Sequence, residues 1–148
     1  MQFTITSEVE APPDVVFAVL SEVERWHEWT PTVTRVERLG DAGAPLAVGG
    51  RLRIVQPKVP PAEWTVTALE PGRGFRIVSR SPGATVEANH WAEPMSGGHR
   101  SRVTLSVTFG GFLGRIIGWV MRGLSERYLA QEAAGLKRRC EERALGTV

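Results

Sequence analysis

The feature that most constrains the fold is a strictly alternating strand that leads directly into a long helical segment. Over residues 102–109, apolar and polar side chains alternate from one position to the next, so one face of this strand is buried and the other meets water. Gly110 and Gly111 separate the strand from a helical pattern that continues to Cys140. We therefore expect a curved antiparallel sheet packed on one long C-terminal helix, with an apolar cavity between the sheet and the helix.

The rest of the chain indicates an α+β fold. Residues 2–10 alternate as a first strand, and Pro12 and Pro13 then favour the first turn of a short helix. A second short helix ends before Pro31, because the residue that precedes a proline disfavours the helical conformation. About six strands follow, joined by turns rich in glycine and proline, as in an antiparallel meander. Strands segregated from helices are typical of the α+β class, and we expect one domain over residues 1–148.

Charge and cysteine content restrict the partners and the compartment. Lys and Arg number 18 against 16 for Asp and Glu, and the basic residues are scattered, so we expect no nucleic-acid binding. The single cysteine, Cys140, excludes an intramolecular disulfide, and the first residues lack a secretory signal. We therefore expect a cytoplasmic protein in which Cys140 is a buried thiol. The oligomeric state stays open.

The apolar run over residues 109–124 does not predict a transmembrane segment. It is 16 residues long and contains Arg115 and Arg122, whereas a spanning helix needs about 20 apolar residues. A helix that lies on a membrane surface, or that binds a partner protein, is compatible with residues 112–119.

The apolar stripe of the C-terminal helix changes direction near Gly123. Spacings of three and four residues define two stripes. The first consists of Leu113, Ile117, Val120, Leu124 and Tyr128, and the second of Leu129, Ala133, Leu136 and Cys140. The shift indicates a bend near Gly123 or two halves with different packing partners. We expect the first half to cap the cavity and the second half to pack on the sheet.

With this order of elements, the chain resembles the START/Bet v 1-like (SRPBCC) superfamily, and in particular its polyketide cyclase/dehydrase-like branch. The likeness covers almost the whole chain. It is carried by VEAPPDVVF at 9–17, WHEWTP at 26–31, GGRLR at 49–53, LEPGRGF at 69–75, GGFLG at 110–114 and the strand that contains His90. The resemblance implies the helix-grip fold, a curved seven-stranded antiparallel sheet around a long C-terminal helix, with two short helices after the first strand. Fold alone does not fix function, because members of the superfamily differ in activity.

The resemblance also implies which side chains face a hydrophobic ligand cavity. The ligand-binding candidates are Ile54, Gln56, Trp64, Phe75, Ile77, Ser79, Ala88, His90, Leu105, Val107, Ile116, Trp119, Val120, Leu124, Arg127 and Tyr128, and the same walls are expected to contain Leu52, Val66, Val86, Phe109 and Gly123. A few polar groups on apolar walls are typical of a small-molecule site. Arg127 also fits a position in solvent, and Tyr128 also fits a packed position with a hydrogen-bonded hydroxyl.

His90 is the candidate residue with the widest range of possible chemical roles. Alternation places it on the same strand face as Val86 and Ala88, so its imidazole points into an apolar wall. Three roles fit this position: a core histidine bonded to a neighbour, a hydrogen-bond anchor for a ligand, and a general acid or base with a lowered pKa.

The sequence contains no complete catalytic, cofactor or metal motif. Residues 123–127 lack the second glycine of a serine elbow, no phosphate-binding loop occurs, and the histidines are dispersed. We therefore expect no cofactor and no metal ion. The predicted function is binding of a hydrophobic small molecule that is aromatic, polyketide-like or lipid-like. The alternatives are a cofactor-independent cyclase or dehydratase that uses His90 as acid or base, and a membrane-surface or partner-binding module.

Overall fold

The elements follow the predicted order of strand, short helices, strands and C-terminal helix. The structure is a computed structural model that describes residues 1–41 and 43–146. Its elements are β1 (Gln2–Val9), α1 (Pro13–Ser21), a 3-10 helix (Val23–Glu28), β2 (Arg35–Leu39), β3 (Arg51–Val55), β4 (Ala62–Glu70), β5 (Gly74–Ser81), β6 (Ala84–Met95), a 3-10 turn (Ser96–Gly98), β7 (Arg100–Gly110), α2 (Phe112–Val120) and α3 (Arg122–Ala144).

The strands form one seven-stranded antiparallel sheet in the order β1-β7-β6-β5-β4-β3-β2. Strands β2 to β7 make a meander, because each pairs with its neighbour in sequence, and β1 pairs with β7 at the far edge. In the middle of the sheet, His90 on β6 stands opposite Phe75 on β5 and Leu105 on β7. This architecture confirms the α+β class and the helix-grip fold.

The second apolar stripe of the C-terminal helix is buried, as predicted. Helix α3 packs against β1, β7 and α1, and its side chains Leu136 and Cys140 are fully buried. Burial raises the pKa of the Cys140 thiol to about 12, so the thiol stays protonated and acts as a small apolar side chain. Gly135 permits the close approach, because a Cβ there would lie 1.8 Å from the carbonyl oxygen of Trp29.

The C-terminal helical segment is divided in two at Met121, two residues before the predicted bend. Met121 has φ −95° and ψ 12°, between the end of α2 and the start of α3. The amide of Met121 donates to the carbonyl of Ile117 at 2.8 Å, and its own carbonyl accepts from the amide of Ser125 at 2.8 Å. Hydrogen bonding therefore continues through the break, and α2 and α3 pack on different parts of the sheet.

Helix α2 packs on the sheet through its glycines and not through its large side chains. Gly114 and Gly118 are buried, whereas Ile116, Trp119 and Val120 are exposed. A Cβ on Gly118 would lie 2.9 Å from the ring of Phe109, so the glycine face is the one that fits against β7. The predicted positions Ile116, Trp119 and Val120 therefore face away from the cavity, whereas Ile117 lines it. None of the described helices combines the length and apolar content that a bilayer crossing requires.

Candidate functional site

A cavity of about 250 Å³ lies between the sheet and the C-terminal helices. It is bounded by the sheet, by the loop between β3 and β4, by the 3-10 helix and by the junction of α2 with α3. Its walls are lined by Trp26, Val33, Ile54, Gln56, Val59, Pro60, Ala62, Trp64, Ile77, Val86, Ala88, Asn89, His90, Leu105, Ser106, Val107, Phe109, Ile117, Met121, Leu124, Ser125, Tyr128, Leu129 and Glu132. The walls are predominantly apolar, as in sites for small hydrophobic ligands.

Most of the side chains expected at the cavity are brought together there. The predicted positions that line it are Ile54, Gln56, Trp64, Ile77, Ala88, His90, Leu105, Val107, Leu124 and Tyr128, with Val86 and Phe109 beside them. The predicted positions outside the lining are Phe75, Ser79, Ile116, Trp119, Val120 and Arg127, together with Leu52, Val66 and Gly123. The strand positions are mostly placed as expected because a period of two fixes their face.

The predicted positions outside the lining occupy other environments. Phe75 is fully buried behind the cavity wall, where its ring stacks on Trp26 with a centroid distance of 6.3 Å. Ser79 is half-buried and does not reach the lining. Arg127 is exposed on α3, and the exposed side chains of α2 point outward because its glycines occupy the sheet-facing side.

His90 is a buried imidazole in an aromatic environment. It is 9% exposed, and its ring centroid lies 5.1 Å from that of Phe75 and 5.4 Å from that of Trp26. Burial lowers the pKa of His90 to about 4, and a hydrogen bond with the backbone of Phe75 opposes this shift. The imidazole is therefore neutral near pH 7. The ring borders the cavity, but its Nδ1 atom has no surface open to the cavity and no hydrogen-bond partner among the described residues.

Glu132 is a carboxyl group in the cavity wall that the sequence analysis did not identify. Its Oε1 accepts a hydrogen bond from the Thr32 hydroxyl at 2.9 Å, and Thr32 in turn contacts the Thr30 hydroxyl at 2.9 Å. Burial raises the pKa of Glu132 to about 7, and the Thr32 hydrogen bond opposes this shift. A sequence signal exists, because Glu132 continues the Leu124 and Tyr128 stripe at a spacing of four.

Two other polar candidates, Tyr128 and Gln56, already form hydrogen bonds to backbone carbonyl groups. The Tyr128 hydroxyl donates to the carbonyl of Pro57, so it joins α3 to the loop between β3 and β4. The Gln56 Nε2 donates to the carbonyl of Thr32 at 3.2 Å. Trp64, by contrast, lines the cavity with a buried Nε1 that has no partner among the described residues. His90 and Glu132 are therefore the ionisable groups of the lining that a polar atom of a ligand would meet.

The arrangement provides proton-transfer chemistry without a metal cluster. Over residues 1–41 and 43–146, no group of three His, Cys, Asp or Glu side chains is arranged to hold a metal ion. His90 has a lowered pKa and Glu132 a raised one in the same cavity. Near pH 7 a neutral imidazole and a partly protonated carboxyl therefore face one apolar space, and such a pair is able to accept and donate protons.

Comparison of the fold with solved structures finds relatives along the whole chain. The Zhui aromatase/cyclase from Streptomyces sp. R1128 is 21% identical with a TM-score of 0.74, over 100% of this chain and 99% of that one. Norcoclaurine synthase from Thalictrum flavum is 13% identical with a TM-score of 0.72, over 96% of this chain and 87% of that one. A hypothetical protein of Helicobacter pylori is 12% identical with a TM-score of 0.77, over 95% and 88% of the two chains. These similarities establish a shared fold.

Sequence comparison gives a more specific assignment. A search of curated proteins finds no significant match. The family described as polyketide cyclase/dehydrase and lipid transport matches residues 1–141, which is nearly the whole of the 148-residue chain. This match and the SRPBCC/Bet v 1-like fold agree with the resemblance seen in the sequence. The chain therefore belongs to the polyketide cyclase/dehydrase and lipid transport family.

Proposed function

We propose that this protein binds a small hydrophobic molecule carrying at least one polar group in the cavity between the sheet and α3. The observation that carries the proposal is the predominantly apolar cavity wall into which the His90 imidazole and the Glu132 carboxyl are set. An unsatisfied buried polar atom costs about 1–3 kcal/mol. A ligand hydroxyl, amine or carbonyl that hydrogen-bonds to the His90 imidazole satisfies a polar group of the wall, while the apolar part of the ligand fills the cavity.

The cavity size narrows the ligand class. An apolar cavity of about 150 Å³ accommodates benzene, and the cavity here measures about 250 Å³. A compound of one or two rings therefore fits, whereas a long lipid or polyketide chain would extend beyond the walls. The norcoclaurine synthase neighbour was solved in complex with dopamine and hydroxybenzaldehyde, and this supports a hydroxylated aromatic compound as the first class to test.

Titration calorimetry with 2-naphthol and naphthalene tests this proposal. Both compounds have two rings, but only 2-naphthol carries a hydroxyl. We expect 2-naphthol to bind at least about tenfold more tightly to the wild-type protein, in line with one satisfied buried polar group. In His90→Leu this preference should disappear while naphthalene binding persists, and in the control His99→Leu, at an exposed position outside the cavity, it should remain. Equal affinities in the wild-type protein, or an unchanged preference in His90→Leu, would contradict the proposal.

A cofactor-independent dehydratase is the second candidate, because the His90 imidazole and the Glu132 carboxyl, whose pKa is raised to about 7, line the same cavity. Neutral His90 would take a proton from the carbon next to a ketone. Protonated Glu132 would give a proton to a β-hydroxyl, which leaves as water while a carbon–carbon double bond forms. The protonated imidazole and the carboxylate then exchange protons with solvent to restore the starting state. The cyclase/dehydrase family match supports this candidate.

The dehydratase candidate is tested with an aromatic β-hydroxyketone, followed by ultraviolet absorption of the conjugated product. Glu132→Gln keeps the oxygen that accepts from Thr32 but cannot donate the carboxyl proton. We expect this variant to retain ligand binding and to lose turnover by about 100-fold or more. Turnover that is equal in the wild-type protein and Glu132→Gln would leave ligand binding as the function and remove the enzymatic one.

A further inference from the structure

Helix α2 exposes its large apolar side chains and buries its small ones, which is the reverse of an ordinary surface helix. The exposed side chains that lie outside the cavity lining are Phe112, Leu113, Ile116, Trp119 and Val120, with exposed fractions between 47% and 78%. We call this set the α2 patch. A contiguous apolar surface of this kind marks a site of interaction with a membrane or another molecule.

The glycines of α2 prevent the helix from rotating to bury the patch. A Cβ on Gly118 would lie 2.9–3.0 Å from the ring of Phe109. A Cβ on Gly114 would lie 3.5 Å from the backbone of Ala84 and Thr85. The helix is therefore seated on β6 and β7 at a distance that only small residues allow, and the α2 patch has to face outward.

Positive charge accompanies the α2 patch. Arg115 lies within the helix and Arg122 one residue beyond Met121, and the sequence from Arg100 to Ser125 contains no acidic residue. The guanidinium of Arg122 stacks over the Trp119 ring at 4.4 Å from its centroid and donates to the Trp119 carbonyl at 2.6 Å. Exposed aromatic and aliphatic side chains with arginines beside them are typical of helices that lie in a membrane interface.

We propose that α2 docks on the surface of an anionic phospholipid bilayer, with its axis in the membrane plane and the α2 patch among the acyl chains. Lipid phosphate groups would then meet the guanidinium groups of Arg115 and Arg122. This inference goes beyond ligand binding in the cavity and rests on separate observations. Ile117 and Met121 also line the cavity, so docking would place the cavity next to the bilayer.

A second copy of the chain fits the α2 patch less well than a bilayer does. The helix has nine residues and is about 14 Å long, whereas a stable protein interface uses about 20–30 residues a side. Pairing of two α2 helices would also bring the arginines of both copies into one apolar interface, where like charges repel. An anionic lipid surface attracts the arginines, and it does not require a large fixed contact area. It therefore suits both the charge and the short length of α2.

Flotation of the full chain with lipid vesicles tests this proposal. The vesicles contain phosphatidylcholine with phosphatidylglycerol, or phosphatidylcholine alone. We expect the wild-type protein to float with the anionic vesicles, and Ile116→Glu/Val120→Glu to lose at least about tenfold in partitioning. The control is Val48→Glu, which places the same charge on an exposed apolar residue in the loop at the opposite edge of the sheet, and it should float like the wild-type protein.

A second variant tests the charge component separately from the apolar one. Arg115→Gln/Arg122→Gln should lose about fivefold per arginine on anionic vesicles and change little on phosphatidylcholine alone. Circular dichroism melting verifies that each variant is folded. If Ile116→Glu/Val120→Glu is found to be misfolded, Arg115→Gln/Arg122→Gln still tests the proposal. The proposal is overturned where wild-type protein stays unbound to anionic vesicles. It is also overturned where analytical ultracentrifugation shows a dimer that Ile116→Glu/Val120→Glu abolishes.

Discussion

At the scale of single residues, the cavity is defined by two titratable side chains whose environments act in opposite directions. His90 is surrounded by the rings of Trp26 and Phe75 and is kept neutral by burial. Glu132 has one hydrogen bond from Thr32, and burial favours its protonated form. Burial is the largest cause of both pKa shifts.

The pKa of Glu132 makes a prediction about stability. In the folded protein this pKa is about 7, against 4.5 for an ordinary glutamate, so the folded state holds a proton that the unfolded chain has lost over that interval. Stability should therefore fall as the pH rises from 4.5 to 7. Because glutamine does not titrate, the melting temperature of Glu132→Gln minus that of the wild-type protein should increase between pH 5 and pH 8. The corresponding free energy is about 1–3 kcal/mol.

The same measurement includes its own check. His90 has a lowered pKa of about 4, so its contribution to stability is complete above about pH 6.5 and is lost as the pH falls toward 4. It is present in both proteins, and the difference between their melting temperatures removes it. Parallel melting curves for Glu132→Gln and the wild-type protein across pH 5 to 8 would show that Glu132 is ionised in the folded state.

At the scale of elements, glycines determine how the C-terminal helices meet the rest of the fold. Gly135 lets α3 touch the backbone at Trp29, and Gly118 lets α2 rest on the ring of Phe109. Hydrophobic periodicity predicts burial of the large side chains, and for α3 that rule holds. For α2 the rule fails, because the helix face that carries the glycines approaches the sheet more closely than the face with the large apolar side chains could.

These two glycines give a graded prediction. Gly135→Ala should destabilise the protein by about 3 kcal/mol or more, because its Cβ would lie 1.8 Å from a backbone oxygen that moves only with its segment. Gly118→Ala should cost about 1–2 kcal/mol, because its Cβ would meet a side-chain ring at 2.9 Å that has some room to shift. Chemical denaturation measures both values, with Gly123→Ala as a control at a helical glycine where the nearest atom is a flexible arginine end at 3.4 Å. A Gly135→Ala variant as stable as the control would contradict this account of the packing.

At the scale of the whole molecule, the sequence was sufficient for the architecture and for much of the cavity, but not for its chemistry. Alternation fixes which strand residues share a face, so Ile77, Ala88 and His90 line one wall as expected. Glu132 was missed because a single acidic residue on a helix is usually solvated. The orientation of α2 was missed because periodicity does not show which face approaches the sheet. Both depend on contacts between segments distant in sequence.

The central claim is that the His90 imidazole receives a polar atom of a hydrophobic ligand, and imidazole nitrogen NMR tests it most directly. The chain has three histidines, and long-range proton–nitrogen spectra resolve each ring nitrogen. Titration with 2-naphthol should shift a ring-nitrogen resonance of His90 and leave those of His27 and His99 in place, while naphthalene should shift it much less. Saturating 2-naphthol that leaves the His90 nitrogen unmoved would contradict the account.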